Sequence, residues 1–334
     1  MKNGINSIVI DQNTSNHCAK SLDQRIIYLK GNRSQKYIQL LNLLSSSNAD
    51  VCHFHTSLFK IFIKGGFFLL FNLINVQTVL TIHSGHFVKQ YEKKSLIWQI
   101  AVKKMINSFN HVIALNKEQL DFYLNRLQRQ QTNVTLIPPF IFPSDFNKSA
   151  IKSMTKINSF KANVDMTILV SGRIFLLYGF DLIIQAANKV MCMRNIKIGL
   201  IFIFYTAEDK KYRIKLMKKI SNYEYHLVLR DLSSEQFLSV MKNCNIYVRP
   251  TYYDGNSVST MEAIALNIPV IASDIDGRPK GAILFKTGDV PDLVTKLCYC
   301  IDNYSLVKNN LRHYKLADNG AKMLTLYQKI ANHN

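Results

Sequence analysis

Two acids with seven residues between them, Asp254 and Glu262, flank a polar loop and the start of a helix within VRPTYYDGNSVSTMEAIALNIPVIASDIDGRP, residues Val248–Pro279. A strand over Asn245–Val248 is closed by Pro250. Gly255, Asn256 and Ser257 form the loop, and Ser257 or Ser259 can cap a helix from about Ser259 to Leu266. A further strand follows over Pro269–Ala272. Strand ends and helix N-termini of open α/β sheets are where phosphorylated ligands bind. The first N–H groups of such a helix, on Val258, Ser259 and Thr260, suit a diphosphate. Asp254 and Glu262 would accept hydrogen bonds from vicinal hydroxyls at opposite ends of that ligand. The alternative is an ordinary loop–helix–strand crossover with incidental acids.

A second constellation lies upstream. Val170–Ile174 reads as a strand running into Gly172 and Arg173, and Gly179-Phe-Asp-Leu opens the next helix. A cation there neutralises charge developing on a departing phosphate; a surface arginine after a strand is the bland alternative. His83 closes the apolar run TVLTIH just before Ser84–Gly85, where a backbone-satisfied strand-end histidine is equally ordinary. Asp274 and Asp276 form a D-x-D after the last of these strands, and we read Asp274 as a turn residue.

Together these segments resemble the retaining GT-B glycosyltransferases of family 4. Asp254 to Glu262 is similar to their E-x7-E signature, here a D-x7-E, followed by A-x5-P-V-I-A-S-D. Gly172 to Ile184 resembles their G-R-x4-K-G-x-D-x-L-I, with Tyr178 in place of the lysine and Ile183 at the leucine. The resemblance implies two Rossmann-like, doubly wound domains facing a cleft. It further implies Asp254, His83 and Arg173 as catalytic residues, with His83 and Asp254 on the donor sugar. Glu262 would hold the ribose, and Gly172, Arg173, Asn256, Ser257, Val258, Ser259 and Thr260 would complete the donor site. The implied activity is hexosyl transfer from a nucleotide-diphosphate sugar to a saccharide acceptor, expected to be polyprenyl-diphosphate-linked, in O-antigen, capsule or exopolysaccharide synthesis. No metal or cofactor is expected. Asp254 for Glu and Tyr178 for Lys are departures, the second removing one of two expected cations. A catalytically silent GT-B binding partner is the alternative.

The elements that must position these residues alternate along the chain. Strands are expected over Ile5–Ile10, Gln24–Leu29, Val51–His55, Thr78–His83, His111–Leu115 and Val134–Ile137. Helices are expected over Arg33–Leu44, Leu58–Leu73, Ser95–Ser108 and Glu118–Leu127. Pro138–Asp165 reads as a linker. A second alternation runs from a strand at Met166–Ser171 to a helix at Pro291–Ile301. The domains expected are 1–145 on the acceptor side, 160–315 on the nucleotide-sugar side, and a C-terminal helix within 316–334 that packs back on the first. The family's opening strand and Gly-rich loop find no counterpart, so the first domain is expected to lack one βα unit and to carry a gap in mid-sheet.

At 334 residues and 48% apolar the chain can bury two cores. Its net charge of +20 fits a diphosphate substrate or an anionic membrane face. There is no nucleic-acid-binding motif, so nucleic acid is not an expected partner. Cys18, Cys52, Cys192, Cys244, Cys298 and Cys300 show neither zinc nor disulfide spacing, and no signal peptide is legible. The expected location is cytoplasmic, peripheral at the inner face of the plasma membrane. Leu58–Leu73, apolar with Lys60 and Lys64, is either a core helix or one resting on that surface.

Overall fold

The computed structural model describes residues 7–10, 25–27, 50–56, 76–84, 87–139, 153–254, 257–314 and 317–332. The helices expected over Arg33–Leu44 and Leu58–Leu73, and the loop residues Gly255 and Asn256, lie outside them. The chain divides into two compact units, one of residues 1–144 with 317–334, the other of residues 145–316.

The first unit is built on a six-stranded sheet of order β2-β1-β3-β4-β5-β6: β1 Ser7–Ile10, β2 Arg25–Ile27, β3 Val51–Thr56, β4 Gln77–Ile82, β5 His111–Ala114 and β6 Val134–Leu136. Every pairing is parallel. The gap expected in mid-sheet is not there, because β1 pairs directly with β3, from Ser7 opposite Val51 to Ile10 opposite Phe54. An unfilled slot would leave two rows of backbone N–H and C=O groups without partners, and direct pairing removes that cost.

Buried on both faces, these strands read as apolar runs rather than alternations. Side chains still alternate with period two. Cys52, Phe54, Leu80, Ile82, Val112 and Ala114 pack with α1 (Phe87–Glu92), α2 (Leu96–Asn107) and α3 (Lys117–Asp121). A π-helical turn over Phe122–Arg126 follows α3, where the sequence predicts continuous helix. Val51, Val79, Ile113, Leu115 and Ile137 face the other way and meet Met323, Leu326, Tyr327 and Ile330 of a helix at Asn319–Ala331 near the C-terminus.

The second unit has strands β7 Met166–Ile174, β8 Ile198–Glu208, β9 His226–Arg230, β10 Ile246–Arg249, β11 Val270–Ser273 and β12 Ile283–Phe285, in the order β12-β11-β10-β7-β8-β9 and all parallel. Counted from β7 this is the 3-2-1-4-5-6 order of dinucleotide-binding sheets. Before it, α4 (Ser153–Lys161) occupies part of the stretch expected to be linker. Then come α5 (Phe180–Arg194), α6 (Lys210–Ser221), α7 (Ser234–Lys242), α8 (Val258–Ala265), α9 (Val290–Asp302) and α10 (Tyr304–Leu311); the helix near the C-terminus is α11. Ile168, Val170, Leu200, Phe202, Phe180 and Leu297 are among the residues of one continuous core. β7 runs to Ile174, three residues beyond the expected end, so Gly172 and Arg173 lie on the strand itself.

The contact of α11 with the first sheet sets a test. Leu326→Ala, which opens a void against that sheet, is expected to lower the stability of the first unit by roughly 2–4 kcal/mol. Urea unfolding followed by circular dichroism would measure it.

Candidate functional site

Strand order reverses between β7 and β10, and such switch points, at the C-terminal ends of the strands, hold the ligands of open α/β sheets. The second unit places there the ends of β7 and β10, the loop after β10 and the start of α8. Hydrogen bonds knit them together. Ser171 Oγ and Tyr247 Oη are 2.9 Å apart, and Tyr247 Oη donates to Ser259 Oγ at 2.7 Å. Ser259 Oγ lies 3.0 Å from Ser257 Oγ. Ser257 is the N-cap, but its hydroxyl caps no backbone N–H.

That arrangement sorts the amides expected to bind phosphate. Thr260 N–H donates to Ser257 O at 3.2 Å, its hydroxyl donates to the same oxygen at 2.7 Å, and the residue is fully buried. Thr260 is therefore removed from the ligand-facing set by its own turn. Val258 and Ser259 N–H have no partner among the described residues, and the helix dipole adds to their pull on an anion.

Asp254 is tied on two sides. Arg249 Nε donates to Asp254 Oδ2 at 2.8 Å, and an Arg278 Nη donates to the same oxygen at 3.4 Å. Arg278, with a side chain only 2% exposed, also donates to Thr251 Oγ1 at 2.6 Å, to Ser273 Oγ at 3.0 Å and to Ser273 O at 3.2 Å. Arg249 donates to Ser171 O at 2.9 Å and lies over the Tyr178 ring at 5.1 Å. Burial opposes the charge of Arg249, but Tyr247 and Asp254 outweigh it and hold the guanidinium above its usual range. Burial lowers Arg278, with Asp254 working the other way. Two guanidinium groups thus share one carboxylate, leaving the centre of the site with an excess of positive charge.

Tyr178 explains Gly172. A Cβ on Gly172 would come within 2.1 Å of the Tyr178 ring, so only glycine lets that ring lie against the end of β7. Gly179 has φ +65°, and a Cβ there would stand 1.9 Å from Pro250 O, which closes the β7–α5 turn onto the end of β10. Arg173 is exposed, and its side chain makes no ion pair or hydrogen bond among the described residues. Glu262, half-buried on α8, has no cation against its carboxylate among them, and burial pushes its pKa up to about 7. Asp274 accepts hydrogen bonds from Thr287 N–H at 2.7 Å and Thr287 Oγ1 at 2.6 Å, which hold its carboxyl below the usual range.

In the first unit, exposed His83 follows β4, and its Nε2 lies 2.6 Å from Nδ1 of buried His55. The two rings stack at 4.9 Å, and His53 lies behind, 4.1 Å from His55. His53 bonds Thr81 Oγ1 at 2.7 Å and Tyr327 Oη of α11 at 2.5 Å. Burial, followed by His83 and His111, pushes His53 down to about 3, and His55 is lowered by burial, His53 and His83. Sequence reasoning missed Arg249 and Arg278 of the second unit's site, and in the first unit it weighed His53 and His55 as acceptor-side residues without adopting them. Arg249 and Arg278 belong to no recognisable spacing, while His53 and His55 carried the weak signal of two histidines on one face of a strand.

Two substitutions test this geometry. Gly172→Ala is expected to cost roughly 1–3 kcal/mol by driving the Tyr178 ring off its strand, and less in a Tyr178→Ser background. Arg278→Met leaves Thr251, Ser273 and Asp254 short of donors and is expected to cost roughly 3 kcal/mol. Both are read by denaturant unfolding.

Comparison with known proteins gives the fold its relatives. Residues 154–292 match the family described as "Glycosyl transferases group 1". No curated protein matches the sequence. Among solved structures, a glycosyltransferase from Rickettsia africae ESF-5 is similar over 99% of this chain and 100% of its own, at 14% identity and a TM-score of 0.72. Sucrose-phosphate synthase from Thermosynechococcus elongatus is similar over 98% of this chain and 100% of its own, also at 14% identity and a TM-score of 0.72. Anabaena HepE, solved in complex with UDP and glucose, is similar over 98% of this chain and 99% of its own, at 13% identity and a TM-score of 0.68. The chain therefore has the α/β fold of the GT-B glycosyltransferases, and its residues 154–292 match their group 1 family.

Proposed function

We propose that this protein is a retaining glycosyltransferase of family 4, moving a hexose from a nucleotide-diphosphate sugar to a saccharide acceptor. The observation that carries the reading is the convergence, at the switch point of the second unit, of exposed Arg173, the N–H groups of Val258 and Ser259 that have no partner among the described residues, and Glu262, which has no cation against it among them. Arg173 and the two amides take the diphosphate. Glu262 accepts from the ribose hydroxyls, with Gly172, Asn256 and Ser257 completing the donor site. Asp254 holds the sugar. A carboxylate accepts about four hydrogen bonds, and two arginines donate to this one. His83 is assigned to contact with the sugar.

The transfer breaks the bond from the anomeric carbon to the diphosphate and forms one to the acceptor oxygen on the same face. The acceptor's proton passes to the leaving diphosphate. Arg249 lies within the same network and adds to the positive field there. The acceptor we propose is a saccharide on a polyprenyl diphosphate, in O-antigen, capsule or exopolysaccharide synthesis. The protein would then work on the cytoplasmic side, at the inner face of the plasma membrane. No described helix is long and apolar enough to cross a membrane.

Asp254 clamped by two arginines and Tyr178 in the motif's lysine position favour a second reading, a GT-B protein that binds nucleotide sugars without transferring them. Calorimetry against UDP-, GDP- and ADP-sugars, with product analysis, separates the two. HepE is solved with UDP and glucose, so UDP-glucose is the first donor to try. Binding with sugar release or transfer supports the enzyme, binding alone supports the silent protein, and no binding by any donor contradicts both.

Glu262 adds a pH signature. Ribose hydroxyls donate to the carboxylate, so binding favours the ionised form of a group whose pKa stands at about 7. Donor affinity is expected to rise between pH 6 and pH 8, a range in which the diphosphate diester does not titrate. Glu262→Gln should flatten that rise and weaken binding by about tenfold, the loss of a hydrogen bond to a charged group.

A further inference from the structure

An amphipathic helix of a globular unit ordinarily turns its apolar stripe inward and a polar face to water. Helix α2, LIWQIAVKKMIN, does not. Val102, Met105 and Ile106 are buried in the core of the first unit. On the opposite side Leu96 is 69% exposed, Ile97 82% and Ile100 58%. At 100° per residue these three and exposed Ala101 fall on one stripe, with Lys104 continuing it at the next turn. Nothing in the packing of the described residues calls for three large aliphatic side chains in water.

Charge decides what suits this face. From Phe87 to Lys117 the chain carries six lysines against one acid, Glu92. Lys89, Lys93, Lys94 and Lys104 are exposed around the stripe, and Lys94 Nζ lies 6.0 Å from the ring of Trp98, the single tryptophan of the chain. Protruding aliphatic side chains ringed by lysines match the boundary of an anionic bilayer, where the apolar groups enter the acyl region and the ammonium groups meet phosphates. A symmetric pairing of this face with its copy would bring lysines against lysines, with Glu92 the one acid in the segment to offset them.

We propose that the exposed face of α2, Leu96, Ile97 and Ile100 with Lys93, Lys94 and Lys104, is the surface by which this protein docks on an anionic membrane. The inference rests on the lipid-linked acceptor of the functional reading for its purpose, and on the exposed face alone for its evidence. It gives the membrane contact a location distinct from Leu58–Leu73.

Trp98 supplies the probe. The full chain is mixed with phosphatidylcholine vesicles containing one quarter phosphatidylglycerol, and with pure phosphatidylcholine vesicles, while tryptophan emission and co-sedimentation are followed. The expected result is a blue shift and sedimentation with the anionic vesicles only, weakening as salt rises. Leu96→Ser/Ile97→Ser/Ile100→Ser should lose at least tenfold in vesicle affinity. Lys93→Gln/Lys94→Gln/Lys104→Gln should lose the preference for anionic lipid. Vesicle binding unchanged in the serine variant, or none by the wild type, overturns the proposal. So does concentration-dependent dimerisation that the serine variant abolishes without any vesicle binding. Donor binding in solution, followed by calorimetry, should be the same in the serine variant as in the wild type. Its absence from both would count against the functional reading and leave the vesicle result standing.

Discussion

Asp254 stands between two arginines that reach it from different elements, and the candidate site depends on that contact. Arg249 comes from the end of β10 and Arg278 from beyond β11, and each also binds backbone or hydroxyl oxygens at neighbouring strand ends. Burying two guanidinium groups against one carboxylate is costly unless the remaining donors find acceptors. Ser171 O, Ser273 O, Ser273 Oγ and Thr251 Oγ1 are those acceptors. Thr251 and Asp254 are thereby tied to the neighbouring strand ends, and α8 begins where the N–H groups of Val258 and Ser259, without partners among the described residues, share a locality with surplus positive charge.

Tyr178 and Gly172 follow from the same constraint. Where the family motif has a lysine, this chain has a ring that lies under the Arg249 guanidinium and needs a glycine beside it. A cation is still present at the end of the sheet, delivered from β10. Glu262 completes the contrast. Burial, with no cation beside it among the described residues, pushes its carboxyl up to about 7, whereas Asp254 receives two arginines. A pair of acids that looks symmetrical in sequence is electrostatically unequal in the fold.

Much of this was legible in the sequence. Alternating apolar strands and helical periods give the α/β class and its parallel sheets, because fully buried strands read as runs such as ILV and IFIF. Pro250 and Pro269 mark the boundaries around α8 through their effects on local backbone, while Ser257 stands at the N-cap without capping it. Other features were not legible. Direct pairing of β1 with β3 is a long-range choice that no local pattern encodes. Arg249 and Arg278 act through contacts made only when distant strands lie side by side. The π-helical turn after α3 and the helix inside the expected linker reflect packing that overrides local propensity.

The central claim is that the second unit's switch point is built for a diphosphate. Calorimetry of matched pairs, UDP with uridine, GDP with guanosine and ADP with adenosine, isolates that contribution. The account predicts that for one base the diphosphate binds at least 100-fold more tightly than its nucleoside, and that Arg173→Met removes most of the difference, as expected for charge-assisted hydrogen bonds in a preorganised site. Equal affinity for diphosphate and nucleoside in all pairs would contradict it.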